Sequence, residues 1–384
     1  MSKKNQATPQ REDTGKWEQL YVAIELSLKK WKLGFSDGRG RTVRIRTIEA
    51  RDWKRFREEI EKAKARFGLP EKTEVRSCYE AGREGFWVHR ALEKRGIHSL
   101  VVDAASIEVK RGRKSAKTDR IDAEKLVRQL VRYSRGETDT WSVVRIPSRE
   151  AEDGRQLHRE LGVLKKERKQ HRTRIQSLMF TEGIDVKVGP RFLERLDSYT
   201  CWDGKALPPG MRARVERECQ RLELVEVELR QLEADRRNQV QQARTPAIEK
   251  VQKLTQLRGI GIQSGWVTTM EFFGWREFQN RRQVGGALGF TPTPHQSGEE
   301  SREQGIGGAG NKRMRPMSIE MAWAWLRFQP DSALSRWYRH RFGSGGRRMR
   351  KIGIVALARK LMIALWRYLE TGQVPEGALL KMSS

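Results

Sequence analysis

Between residues 18 and 145 the apolar positions keep switching between the alternation of a strand and the three-to-four spacing of a helix. The order of those switches narrows the fold more than any other feature of the chain. "LYVAIEL" (20–26), "KWKLGF" (30–35) and "TVRIR" (42–46) read as three strands in succession. Gly34, Ser36, Asp37, Gly38 and Gly40 supply the turn chemistry between the last two. Residues 50–67 then place Trp53, Phe56, Ile60 and Ala63 at helical spacing. "EVRSCYEA" (74–81) reads as a fourth strand, "GFWVHRALEKRG" as a helix closed by Gly96, and "HSLVVDA" (98–104) as a fifth strand. A last helix is expected from Asp119 to about Tyr133.

Three meandering strands followed by helix, strand, helix, strand and helix is the order of a ribonuclease-H-like α/β fold. Acidic residues fall where that fold would carry an active site. Glu25 lies on the first strand in "AIELS", and Glu80 ends the fourth in "CYEAG". Asp119 and Asp122 in "KTDRIDAEKL" share one helix face, since residues three apart are about 5–6 Å apart at Cβ. Clustered carboxylates repel one another, and a hard divalent cation relieves that repulsion. Mg²⁺ takes oxygen ligands from a few carboxylates and keeps positions open for phosphate. Paired ions about 3.5–4 Å apart can stabilise both the attacking and the leaving oxygen. Directly upstream stand Lys110, Arg111, Arg113, Lys114 and Lys117, placed to hold a phosphate backbone beside such a site. A plainer account is open as well: Asp119 as an N-cap or first-turn acid favoured by the helix dipole, and Asp122 paired with Lys125.

The chain carries 78 Lys plus Arg against 49 Asp plus Glu, a net charge of +29, which calls for a polyanionic partner. Nucleic acid is the default, and an anionic membrane surface is the rival. No apolar run approaches the roughly 18 residues of a spanning helix, and the start of the chain lacks a signal-peptide core. Residues 1–17 are expected to form a flexible basic tail. Cys78, Cys201 and Cys219 have neither metal-ligand spacing nor an even-numbered framework, so the expected setting is reducing and cytoplasmic.

Residues 146–245 read as a helical middle domain. Leu157, Leu161, Leu164, Arg168, His171, Ile175 and Leu178 recur at spacings of four and three, and Leu222, Val225, Leu229 and Leu232 repeat the pattern. The breaker region between them suggests an antiparallel coiled coil, serving dimerisation or spacing. The run "KKERKQHRTR" (165–174) reads as a solvated helix face, with direct RNA binding as the alternative. Residues 246–384 read as a mostly α-helical domain. "LTQLRGIGIQSGW" has the pattern of a helix-hairpin-helix, whose Gly259 and Gly261 would expose backbone N–H groups to a phosphate. A Pro-rich loop carries His295, a candidate base or phosphate donor, and Ser297 in "HQSG". Most loop serines are solvated or capping. Gly298 beside it permits close backbone approach, and Lys312, Arg313 and Arg315 follow downstream. From residue 301 onward sixteen Lys plus Arg face five acids, so this end is strongly basic. The helix around Leu357, Leu361 and Leu365 is expected to pack a core or a dimer contact.

"CYEAG", "KTDRIDAEKL", "LRGIGIQSGW", "ALGFTPTPHQSGEE" and "GNKRMRP", in that order, resemble the DEDD-type transposases of bacterial insertion sequences. These are the RNA-guided bridge recombinases related to pilin-gene invertases. The resemblance implies a RuvC-like domain over 18–145, a coiled-coil insertion over 146–245, and a C-terminal transposase domain over 246–384. It implies Glu25, Glu80, Asp119 and Asp122 as Mg²⁺ ligands, and Ser297 as a nucleophile that forms a phosphoserine link to DNA. A structured guide RNA encoded by the element would choose donor and target DNA, and a homodimer or dimer of dimers would join them. One position departs from the family: its first acid is usually Asp, where this chain has Glu25, one methylene longer. Two other functions use the same residues. A RuvC-like junction nuclease would act through metal-activated water, and a non-catalytic nucleic-acid-binding protein would need none of the acids.

Overall fold

The computed structural model describes residues 19–40, 42–107, 119–297, 300–306 and 310–381, and within these the side chains of all but 105, 119, 292–297 and 300–304. Contacts divide the chain into two units, 1–146 and 147–384.

In the first unit, β1 (Gln19–Glu25), β2 (Lys30–Ser36) and β3 (Arg44–Glu49) form the expected antiparallel meander. Helix α1 (Trp53–Phe67) starts behind Asp52, whose side chain accepts from Arg55 N–H, and ends at Gly68 in the left-handed region. Strand β4 (Glu74–Glu80), helix α2 (Trp87–Glu93), strand β5 (His98–Val102) and helix α3 (Asp119–Ser134) follow. The five-stranded mixed sheet has the order β3-β2-β1-β4-β5, with β4 parallel to both β1 and β5. Alternation along the strands sorts two cores onto its faces. Leu20, Val22, Ile24 and Tyr79 pack with Phe56, Ile60 and Leu92 of α1 and α2. Tyr21, Ala23 and Cys78 pack with Leu126, Val127 and Leu130 of α3. Strand β3 begins two residues later than its apolar pattern suggested, and Ile48, the residue that seals it, is buried.

The second unit begins with the short α4 (Arg149–Asp153), then the long α5 (Gln156–Phe180) and α6 (Pro209–Gln242). Lys165 meets Glu233, Arg172 meets Glu226 and Arg174 meets Glu218, so the two helices run antiparallel. Leu161, Val225 and Leu229 are buried between them. His171, an odd polar residue in the apolar repeat, bonds Glu218 at 2.7 Å. The breaker region is more than a connection: Ile184, Val186, Val188, Phe192, Leu196 and Leu207 close a small core with Ile175, Met179 and Val215.

Beyond it lie α7 (Pro246–Thr255), α8 (Ile262–Thr268), which widens into one π-helical turn at Thr269–Phe273, and α9 (Arg281–Ala287). Strands β6 (Pro292–Ser297) and β7 (Glu300–Ile306) form a hairpin, where a loop was expected. Pro292 and Pro294 do not prevent it, because a two-stranded ribbon consists only of edges, where a missing N–H costs little. Helices α10 (Met314–Phe328), α11 (Ala333–Phe342) and α12 (Arg347–Thr371) complete the chain. Ile354, Leu357, Leu361 and Leu365 of α12 are core residues, packed with Trp325 and Phe272. No described helix is long and apolar enough to cross a membrane.

Candidate active site and nucleic-acid interface

Glu25 and Glu80 end neighbouring parallel strands. Ile24 pairs with Tyr79, so the next residues along stand at the same level, at the carboxyl edge of the sheet. Odd positions of β1 and even positions of β4 face α3, which puts both glutamates on the α3 side. The direction of α3 then decides where its acids fall. Ala123 lies against Gly34, which pairs with Ala23, whereas the Arg135 guanidinium, three turns later, bonds the Gly38 carbonyl beside Tyr21. Helix α3 therefore runs antiparallel to β1, with its N-terminus at the Glu25 end. From Ala23 to Glu25 a strand advances about 7 Å. From Ala123 back to Asp119 a helix retreats about 6 Å. The fold thus carries Glu25, Glu80 and the first turn of α3 to one edge of the sheet.

Carboxyl edges of parallel strands are where open α/β sheets hold ligands. Glu80 is exposed, and Glu25 and Asp122 are half-buried. Asp119 opens α3, and its side chain lies outside the described residues. Among the described residues no three Asp, Glu, His or Cys side chains form a ready metal cluster. Arg111, Arg113, Lys114 and Lys117 lie outside the described residues.

In the second unit, Ser297 is the last residue of β6, paired with Glu300 of β7, and His295 pairs with Arg302. Their side chains lie outside the described residues. Lys312, Arg313 and Arg315 gather at the N-terminus of α10, where Asn311 Oδ1 accepts from the backbone N–H groups of Arg313 and Met314. Cations at that end oppose the helix dipole, so helix stability does not explain them. Lys312 is exposed, and Arg315 lies over the Phe290 ring at 5.8 Å.

Arg313 Nε stands 3.4 Å from Glu271, a buried carboxylate on the π-helical turn. Glu271 also accepts from His158 Nε2 at 2.9 Å and from Arg159 through both oxygens, at 2.9 and 3.2 Å. Burial raises its pKa, but the bonds from His158 and Arg159 outweigh that and hold the carboxyl at about 2. Sequence reasoning missed this centre, because its partners lie 112 residues apart.

The turn between α7 and α8 lines an open cleft of about 660 Å³ with Arg258, Arg327 and Lys381. Gly259 has a φ of +87°, and a Cβ there would stand 3.2 Å from Phe328 Cβ and 3.3 Å from the Ala324 carbonyl. Its glycine thus serves close packing on α10. Gly261 has open space around its Cα, and its N–H already donates to Ser264 Oγ at 3.1 Å. Among the described residues no carboxylate lines the cleft. Burial lowers the pKa of Lys381, whose ammonium donates to the Ile260 carbonyl.

A putative transposase of Sinorhizobium fredii, y4rJ, is 40% identical over 377 residues, covering 94% of this chain and 94% of its own length. This chain belongs to the IS116/IS110/IS902 family of transposases. Residues 251–339, from within α7 to within α11, match the family signature directly. A second putative transposase of that organism, y4qE, is 26% identical over 329 residues, covering 84% of this chain and 76% of its own length. As an insertion-sequence transposase the chain is an enzyme of DNA. The matched stretch includes the turn at Gly259 and Gly261, the hairpin with Ser297 and the cations at the start of α10.

Proposed function

We propose that this transposase cuts and rejoins DNA through a covalent phosphoserine at Ser297, aided by Mg²⁺ bound to Glu25, Glu80, Asp119 and Asp122. The observation that carries the metal half is the convergence of two strand-end glutamates and the acidic first turn of α3 on one edge of the sheet. The sheet order β3-β2-β1-β4-β5 with α3 across its centre favours a RuvC-like reading of this unit. All-oxygen donors suit Mg²⁺, and the longer Glu25 reaches one methylene further than aspartate. Bound there, Mg²⁺ would neutralise charge on the phosphate and on the leaving oxygen.

Ser297 Oγ attacks the phosphorus of a DNA phosphodiester and gives up its proton to a base. The Ser–O–P bond forms as one deoxyribose oxygen leaves and takes a proton. Attack by the hydroxyl of another strand on that phosphoserine reverses the sequence, releases Ser297 and joins the new strand. The bond count is unchanged, so no ATP is needed. Lys312, Arg313 and Arg315 hold the DNA backbone, as do Arg111, Arg113, Lys114 and Lys117. The turn at Gly259 and Gly261 acts as a helix-hairpin-helix, with Arg258, Arg327 and Lys381 supplying the charge. A structured RNA from the element selects donor and target by base pairing, leaving shape and backbone to the protein. The α5–α6 pair acts as a coiled-coil spacer in a homodimer or dimer of dimers, at work in the bacterial cytoplasm on the nucleoid.

Recombination between element ends, with the element's RNA and Mg²⁺ present, tests this reading. Ser297→Ala, Asp122→Asn and Glu80→Gln should each lower product by at least about 10³-fold, the scale on which a lost nucleophile or metal ligand acts. Strand cleavage surviving in Ser297→Ala would favour water activated at the acids. Recombination surviving in Asp122→Asn would remove the metal site from the account.

A further inference from the structure

A basic groove runs along α5. Lys165, Arg168, Lys169, Arg172, Thr173 and Gln176 line it at spacings that keep one helix face for three turns, about 16 Å. The second wall is Lys187, and the groove encloses about 510 Å³. Lys187 is placed there by alternation: Ile184, Val186 and Val188 are buried in the small core, so Lys187 points out between the two valines. Gln176 Nε2 ties that segment to α5 through the Val186 carbonyl at 3.1 Å.

Like charges at three- and four-residue spacing repel, and exposed helices usually relieve this with acids on the same face. Among the described residues no carboxylate lines this groove. Lys165 and Arg172 are steadied by Glu233 and Glu226 of α6, at 3.1 and 2.6 Å. Arg168, Lys169 and Lys187 have no ion-pair partner among the described residues. A folded chain that adds a fifth cation to four already crowded ones is suited to an anion in the groove.

We infer that this groove binds the sugar-phosphate backbone of duplex DNA. The inference rests on the family membership alone, which makes DNA a polyanion this chain must hold, and not on the serine chemistry. Ammonium and guanidinium groups with a hydroxyl and an amide suit phosphates, which position a duplex without reading it. Unpaired RNA is held by stacking its bases on aromatic rings, and among the described residues the groove lining has none.

The test is the salt dependence of duplex binding by the full chain, without Mg²⁺, so that no chemistry enters the readout. Replacing Arg168, Lys169 and Lys187 together by Gln should reduce the slope of log K against log salt by about 2–3, near 0.9 per phosphate contact. Lys187→Gln alone should reduce it by about 1. A control triple on α6, with Arg214, Arg217 and Arg230 changed to Gln, removes the same charge from sites outside the groove. It should leave the slope near that of the parent. Equal losses in both triples would reduce the effect to net charge and overturn the inference. So would an unchanged slope in the groove triple, or a loss confined to RNA with duplex binding intact.

Discussion

Glu271 shows how one residue can tie remote segments together. It joins His158 and Arg159 of α5 to Arg313 at the start of α10, all through a single buried carboxylate. Its folded pKa of about 2 lies below the ordinary value of about 4.3. Its stabilising effect is therefore full above about pH 5 and is lost as pH falls towards 2. Glu271→Gln should cost about 3 kcal/mol at pH 7, as the breaking of a buried ion pair does. That deficit should shrink to little near pH 2. Urea unfolding across this range checks it, and a deficit that stays constant with pH would contradict the assignment. Such a centre was not legible in the sequence: Glu271 sits in "TMEFFG", where nothing marks a buried carboxylate. Glu25 and Glu80 were legible, because strand alternation fixes the face and the strand end fixes the level.

Elements with a clear period were legible almost to the residue, as β1, β4, α1 and α3 show, and the reason is burial on one face. The β6–β7 hairpin was not, because two prolines and a glycine mask a strand pattern that, among the described residues, pairs with its own return. The core of the breaker region was hidden for a related reason: its valines alternate over too few residues to announce a strand. Packing between elements can be tested through two glycines. A Cβ at Gly34 would stand 2.8 Å from the Ala123 carbonyl, backbone that can yield only by moving α3. Gly34→Ala should cost about 1–3 kcal/mol and should lower strand transfer further than stability alone explains, because α3 carries the proposed ligands Asp119 and Asp122. A Cβ at Gly162 in α5 would have nothing within 4 Å, so this position should behave oppositely. Gly162→Ala should stabilise by up to about 1 kcal/mol. Thermal melts of the two variants read both signs, and a stabilising Gly34→Ala would overturn the packing of α3 on β2.

The whole molecule combines two kinds of information. Its charge of +29 announces a polyanion, but says nothing about what is done to it. Chemistry needs particular side chains, and those proposed here rest on order and level in the sheet for the acids and on likeness to a family for Ser297. No physical feature of "HQSG" alone separates a nucleophile from a solvated serine, so the role proposed for Ser297 rests on resemblance. The measurement that bears most directly on the account is a search for a covalent protein–DNA adduct. The full chain would be incubated with Mg²⁺, its element's RNA and a duplex carrying an element end, then digested and analysed by mass spectrometry. The account predicts a nucleotide adduct on the peptide containing Ser297, absent from Ser297→Ala and from Asp122→Asn. Cleaved DNA with no adduct, or an adduct on another residue, would contradict it.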